Sequence, residues 1–199
     1  GRLSRMRPHW YPVMFVILLL VAFRVLGSVF PESLPNFQPL AVLFFCGFLL
    51  APGWRGFAWP AGIYFLTYPL PALLQGRVDW LAPGVLGVTL LAFGAIFLLG
   101  RSLRPERAVT LFGGAVTAAL VFHVITNGVA WIGSPLYPKT PLGLWQSLWT
   151  GPVGSPVPSW VFLRNLMAAN LIFTAMLLLA RFPIAIPRVA ASSGLTPAR

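Results

Sequence analysis

Residues 108–133 read AVTLFGGAVTAALVFHVITNGVAWIG, a run with no Asp, Glu, Lys or Arg. As one helix it would rise about 39 Å, more than the ~30 Å hydrocarbon core of a bilayer. Within it His123, Asn127 and Trp131 recur every four positions, with Thr126 beside them, and that spacing stacks side chains on one helix face. A polar stripe on a membrane helix is costly against lipid, so this one should face protein or a cavity.

Working outward, further apolar runs near 11–30, 39–54, 57–75, 81–100 and 160–181 predict a six-helix, all-α membrane protein. The run between Pro39 and Pro52 is short, which implies either a tilt or a start below the membrane surface under a folded loop. Residues 1–182 form one transmembrane domain in this reading, and 183–199, with Pro183, Pro187 and Ser192-Ser193-Gly194, a cytoplasmic tail. The composition agrees: 58% hydrophobic and 9% charged, where a soluble domain would be near 25% charged. The formal net charge of +11 does not indicate nucleic acid, because the cations are scattered at span ends and are not gathered on one solvated surface.

Those cations predict orientation instead. Arg2, Arg5, Arg7, Arg55, Arg101, Arg104, Arg107, Arg181, Arg188 and Arg199 fall on one side of the six runs, against Arg77, Lys139 and Arg164 on the other, with Arg24 inside the first. The bias places both termini in the cytoplasm. The outer connections are then 31–38, 76–80 and 134–159. Two of them are rich in Pro, and 134–159 adds Gly143, Gly151, Gly154 and the aromatics Tyr137, Trp145 and Trp149. Long ordered loops of this kind commonly act as caps over a site, although Trp and Tyr also gather at headgroup depth as a plain interface belt.

Polar residues in the spans supply the candidate site. Besides the His123 stripe, the sixth span carries Arg164, Asn165, Asn170 and Thr174, and the first carries Arg24. Asn170 and Thr174 lie nearer mid-membrane and read as interhelical hydrogen-bond glue. Arg24, His123 and Asn127 lie nearer the outer end and read as cavity residues, with a pairing of Arg24 and Glu32 as the alternative for the arginine. Cys46 is the sole cysteine, so an intrachain disulfide is excluded. Periodicity alone makes it a small buried hydrophobe; the alternative is a soft ligand to a metal carried within a cofactor. No phosphate loop, nucleophile elbow or zinc-protease motif is present. With Glu32, Asp79 and Glu106 as the whole complement of acids, paired-carboxylate chemistry and a carboxylate proton relay are both poorly supported.

Pro35-Asn36-Phe37-Gln38-Pro39, Cys46-Gly47, Thr126-Asn127-Gly128-Val129-Ala130-Trp131, Tyr137-Pro138-Lys139-Thr140-Pro141-Leu142-Gly143, Trp149-Thr150-Gly151, Pro158-Ser159-Trp160 and Arg164-Asn165 together resemble a family of bacterial six-helix membrane proteins. That family is similar to the substrate-binding S components of energy-coupling-factor vitamin transporters. The resemblance covers about 24–175, and its most specific part is Thr-Asn-x-x-x-Trp followed by Tyr-Pro-x-Thr. It implies an S-component-like bundle in the bacterial inner membrane, a vitamin-sized pocket under the outer loops, and an energy-coupling ATPase module as a possible partner. Solitary cobalamin transporters are similar in using a cysteine against the corrinoid cobalt, and Cys46 is the residue here that could match. The first span departs from the pattern in lacking the Ala-x-x-x-Ala patch by which many S components dock their coupling module.

The expectation is therefore a membrane protein that binds and takes up a small vitamin-like molecule, with cobalamin as the sharpest candidate. The expected ligand contacts are Arg24, Asn36, Phe37, His123, Asn127, Trp131, Tyr137, Trp145 and Arg164. Cys46 would be the cobalt ligand and could displace the group held there before. Two rival expectations are a structural or assembly subunit of a larger membrane complex, and a membrane enzyme acting on a lipid, which the shortage of acids disfavours.

Overall fold

In a computed structural model, residues 10–30, 34–69, 72–73, 76, 81–103 and 108–181 are described. Glu32, Arg77, Asp79, the arginines at 2, 5, 7, 104, 107, 188 and 199, and the 183–199 tail lie outside them. The described residues are all-helical: α1 (Trp10–Val29), α2 (Leu40–Phe45), α3 (Gly47–Leu50), α4 (Arg55–Thr67), α5 (Pro83–Leu103), α6 (Ala108–Gly133), α7 (Pro141–Leu148) and α8 (Ser159–Arg181). Helices α5, α6 and α8 are long and apolar enough to cross a membrane, and α1 adds a shorter described apolar stretch, Ile17–Val29. The chain is a membrane protein on this ground.

The expected second and third spans take a different form. Helices α2 and α3 hold six and four residues, separated by a turn at Cys46; together they rise only about 16 Å, roughly half a hydrocarbon core. Helix α4 has 13 residues and ends at Thr67, a rise of about 20 Å. Every residue from Leu40 to Cys46 is buried, so α2 is apolar on all faces because protein surrounds it on all faces. Phe44 stacks on Phe93 of α5 with ring centroids 4.3 Å apart and meets Phe57 of α4 at 5.2 Å. Gly47 and Gly56 let α3 and α4 touch backbone to backbone: a Cβ on Gly47 would lie 2.1 Å from the Gly56 carbonyl oxygen.

The shortness of α2 sets the depth of what precedes it. Phe45 packs on Gly100, three residues before the end of α5, so α2 ends near one end of the bundle and begins only about 9 Å away from there. The non-helical segment 34–39 therefore runs inside the bundle, alongside the first turns of α8. Asn165 Nδ2 donates to the Pro35 carbonyl at 3.0 Å, and Asn36 Nδ2 to that of Phe162 at 3.5 Å. Irregular backbone at membrane depth persists only where protein covers it or a cavity satisfies it.

Helices α6 and α8 meet through small residues, with Ala115, Ala118 and Ala119 buried opposite Leu166, Ala169 and Phe173. Asn170 Nδ2 crosses this seam to the Ala115 carbonyl at 3.0 Å, whereas the Thr174 hydroxyl turns back to the Asn170 carbonyl of its own helix at 2.7 Å. Asn170 thus ties two helices together and Thr174 does not.

Arg24 performs a related task among α1, α4 and the 34–39 segment. It is 5% exposed; its Nε donates to Thr67 Oγ1 at 2.6 Å and its Nη1 to Gln38 Oε1 at 3.0 Å, and the guanidinium lies 4.6 Å from the Tyr64 ring centre. Arginine suits such a place because its planar fork bonds two acceptors while stacking on a ring.

A candidate ligand cavity beneath the α7 cap

Residues 134–158 fold back over the ends of α6 and α8. Helix α7 is only eight residues long, too short to persist by propensity, and its supports are all tertiary or capping bonds. Thr140 Oγ1 accepts from the Gly143 N–H at 3.2 Å, and Pro141 fills the first helical position, where its missing N–H is harmless. Trp131 Nε1 donates to the Pro138 carbonyl at 2.8 Å, and Lys139 Nζ bonds the carbonyls of Trp131 and, at 2.6 Å, Ser134, which places a cation on the orphan carbonyls that end α6. On the far side the Trp160 N–H donates to Trp149 at 3.0 Å.

His123 joins this cap to the bundle. Its Nε2 lies 2.8 Å from the Leu148 carbonyl, which can only accept, so Nε2 carries the proton. Leu148 is the last residue of α7, and its carbonyl has no partner within that helix. Asn127 Nδ2 sits 2.9 Å from the His123 carbonyl and 3.1 Å from Nδ1, so Nδ1 is the acceptor and the ring is a neutral imidazole with both nitrogens engaged.

Between cap, α6, α8 and the 34–39 segment lies a cavity of about 360 Å³. Asn36 lines it from the internal segment, His123, Thr126 and Asn127 from α6, and Ser159 and Phe162 from α8. Tyr137, Pro152, Ser155 and Val157 close it from the cap. No Asp, Glu, Lys or Arg lines it among the described residues. Burial holds the Tyr137 hydroxyl above the usual tyrosine range, so it stays protonated and uncharged. Asn36 has φ of 56°, the left-handed region that asparagine tolerates better than other residues with a Cβ.

Of the expected contacts, Asn36, His123, Asn127 and Tyr137 meet at this cavity. The others are placed elsewhere, each for a local reason. Phe37 turns into the core against Phe23, ring centres 5.6 Å apart, while Arg24 holds the far end of the same segment. Trp131 is tied to the Pro138 carbonyl. Trp145 is 59% exposed and stacks on Trp149 at 5.8 Å, and Arg164 is exposed above the Trp160 ring at 5.2 Å, as at a membrane interface. Ser155, Val157 and Phe162 escaped the sequence reading, and Ser159 entered it only within the Pro158-Ser159-Trp160 motif, not as a site residue. Ser159 carried a usable signal, since a hydroxyl opening the sixth apolar run stands where an outer cavity would be.

Cys46 does not fit the cobalt role. A thiolate needs an open axial approach to the metal, and Cys46 is 0% exposed within the core cluster that contains Phe44 and Phe45. It is absent from the cavity lining. N-ethylmaleimide is accordingly expected to leave Cys46 unmodified in the folded protein and to label it fully after SDS denaturation. Prompt labelling of the folded chain would contradict this burial.

No curated protein and no solved structure matches the chain. Its sequence matches a known family over residues 4–190, almost its whole length, and the chain belongs to that family, the family of unknown function DUF6580.

Proposed function

We propose that the chain is a membrane-embedded binding protein that takes a small, vitamin-sized molecule into the cavity beneath α7 for uptake. One observation supports this above others: a half-open cavity whose polar groups come from the internal segment, two long helices and the cap, converging without a charged residue in its lining. In this proposal the six apolar runs are six passes through a bacterial inner membrane, with α2–α3 and α4 as short inner ones. Both termini are cytoplasmic and the cavity faces outward, as the cation bias requires. An energy-coupling ATPase module is the partner that the resemblance implies, and the absence of the Ala-x-x-x-Ala docking patch from the first span speaks against it.

The test is mass spectrometry of small molecules extracted from gently purified protein. One compound at near-stoichiometric amount is expected from the wild type, and its loss is expected with Val157→Trp, which fills the cavity from the cap. Recovery of the same compound from both proteins, or of none from the wild type, would overturn the proposal.

A second reading, a subunit of a larger membrane assembly, draws on a groove along α4. There Ala58 and Gly62 form a floor between the exposed Trp54, Trp59 and Leu66, small residues of the kind that let another helix approach. A chain that stays monodisperse and folded when purified alone would count against it.

A further inference from the structure

Each polar group around the cavity can be asked where its hydrogens go. Asn127 spends its amide hydrogens on the His123 carbonyl at 2.9 Å and on Nδ1 at 3.1 Å. Asn36 directs its amide at the Phe162 carbonyl, 3.5 Å away. Because a carbonyl can only accept, the short bond to His123 orients the Asn127 carboxamide, the longer one to Phe162 gives Asn36 the same sense, and both Oδ1 atoms are left over. The Thr126 hydroxyl donates to the Phe122 carbonyl at 2.8 Å, and that of Ser155 donates to Val157 at 2.8 Å. The His123 N–H is spent on Leu148.

The donors of His123, Thr126, Asn127 and Ser155 are thus spent within the chain, which leaves the Tyr137 and Ser159 hydroxyls as donors beside the two Oδ1 acceptors, all of them uncharged. A carboxylate or phosphate would meet the two Oδ1 acceptors and only two neutral hydroxyls, with no cation among the lining residues to offset its charge. A cation would have donors to offer but no counter-charge among the lining residues, and the buried Arg24, held by Gln38 two residues from Asn36, adds positive potential on that side. Burying a charge without a partner costs several kcal/mol.

We infer that the cavity selects an uncharged molecule presenting N–H or O–H donors, such as a primary amide, to the Oδ1 atoms of Asn36 and Asn127, with its apolar part against Phe162, Pro152 and Val157. This rests on the binding-site reading above and adds the chemistry of what is bound. A site whose buried acceptors are left unpaired rejects the ligand that lacks the donor, which is how hydrogen bonding gives more discrimination than shape.

The experiment uses the full chain in lipid nanodiscs with benzamide, N,N-dimethylbenzamide, benzoate and benzylammonium, and reads affinity by ligand-detected NMR titration. Benzamide is expected to bind, and the dimethyl compound, whose amide carries no hydrogen, to bind at least ~10-fold more weakly. Benzoate and benzylammonium should be weaker still. The preference for benzamide should shrink in Asn127→Leu and in Asn36→Gly; glycine adopts φ of 56° without a Cβ penalty, so the second variant removes the carboxamide and keeps the turn. Equal affinity for the two amides, or tightest binding by either ion, with that binding abolished by Val157→Trp, would overturn the donor inference and leave the cavity standing. Binding by none of the four, or binding indifferent to Val157→Trp, would overturn the cavity reading and this inference with it.

Discussion

A methyl group added at Gly100 is expected to disrupt the bundle. Its Cβ would stand 2.1 Å from the carbonyl oxygen of Phe45 and 3.0 Å from the carbonyl carbon, and backbone atoms cannot rotate out of the way. Helix α2 would have to shift bodily, although protein covers it on all sides. Overpacking typically costs about 1–3 kcal/mol and more where relaxation is blocked. At the upper value of ~3 kcal/mol, a chain of this size should melt roughly 6–12 °C lower. Gly114 is the informative control: its Cβ would meet Phe45 Cζ at 1.9 Å, the tip of a ring. Phe45→Ala should therefore absorb Gly114→Ala almost completely, so that the double variant melts close to Phe45→Ala alone, while Gly100→Ala should cost as much in the Phe45→Ala background as in the wild type. Thermal melts of these single and double variants decide the matter. A Gly100→Ala protein that melts with the wild type would mean that α2 does not lie where it is described.

That contact also shows what a linear reading misses. The run from 39 to 54 is as apolar as its neighbours, and apolarity registers burial without distinguishing lipid from protein. What makes α2 and α3 a short internal pair is the turn at Cys46 and the backbone contacts of Gly47 and Gly100, and those glycines acquire meaning only beside Gly56 and Phe45. The long helices were legible because a charge-free apolar run of about 20 residues matches the thickness of a bilayer core and little else. In the site, the His123 and Asn127 pair was visible from i, i+4 spacing, and Asn36 and Tyr137 from their place in the connecting loops. Trp131 continues the same stripe, yet it sits in the last turns of α6, where the cap's Pro138 carbonyl reaches it first. Arg24 looked like a ligand contact because a membrane cation demands a partner; Thr67 and Gln38, which lie 43 and 14 residues away in sequence, supply two. Cys46 sits at a plausible depth by helix rise, but depth says nothing about direction, and its thiol is fully buried in the turn between α2 and α3, away from the cavity lining.

The latch between His123 and Leu148 carries the second large effect. Removing the imidazole leaves the last carbonyl of α7 without its donor and the Asn127 amide without the Nδ1 acceptor, each a loss of about 1–3 kcal/mol where water cannot substitute. Because α7 is a short helix held by its ties, the loss should appear as local opening of the cap before any global unfolding. In His123→Leu the amides of Leu144 and Trp149, bonded to the carbonyls of Thr140 and Trp145 at 3.0 and 2.9 Å, are expected to exchange at least ~10-fold faster, while those of the α6–α8 seam keep their protection. His123→Gln separates the two bonds: its side-chain amide can donate to Leu148 but offers Asn127 no acceptor at the Nδ1 position. If the Leu148 bond holds the cap, glutamine should restore most of the α7 protection. Unchanged α7 exchange in His123→Leu would dispose of the latch, and equal loss in both variants would move the weight onto Asn127, making the histidine a support for the cavity wall instead of its lid.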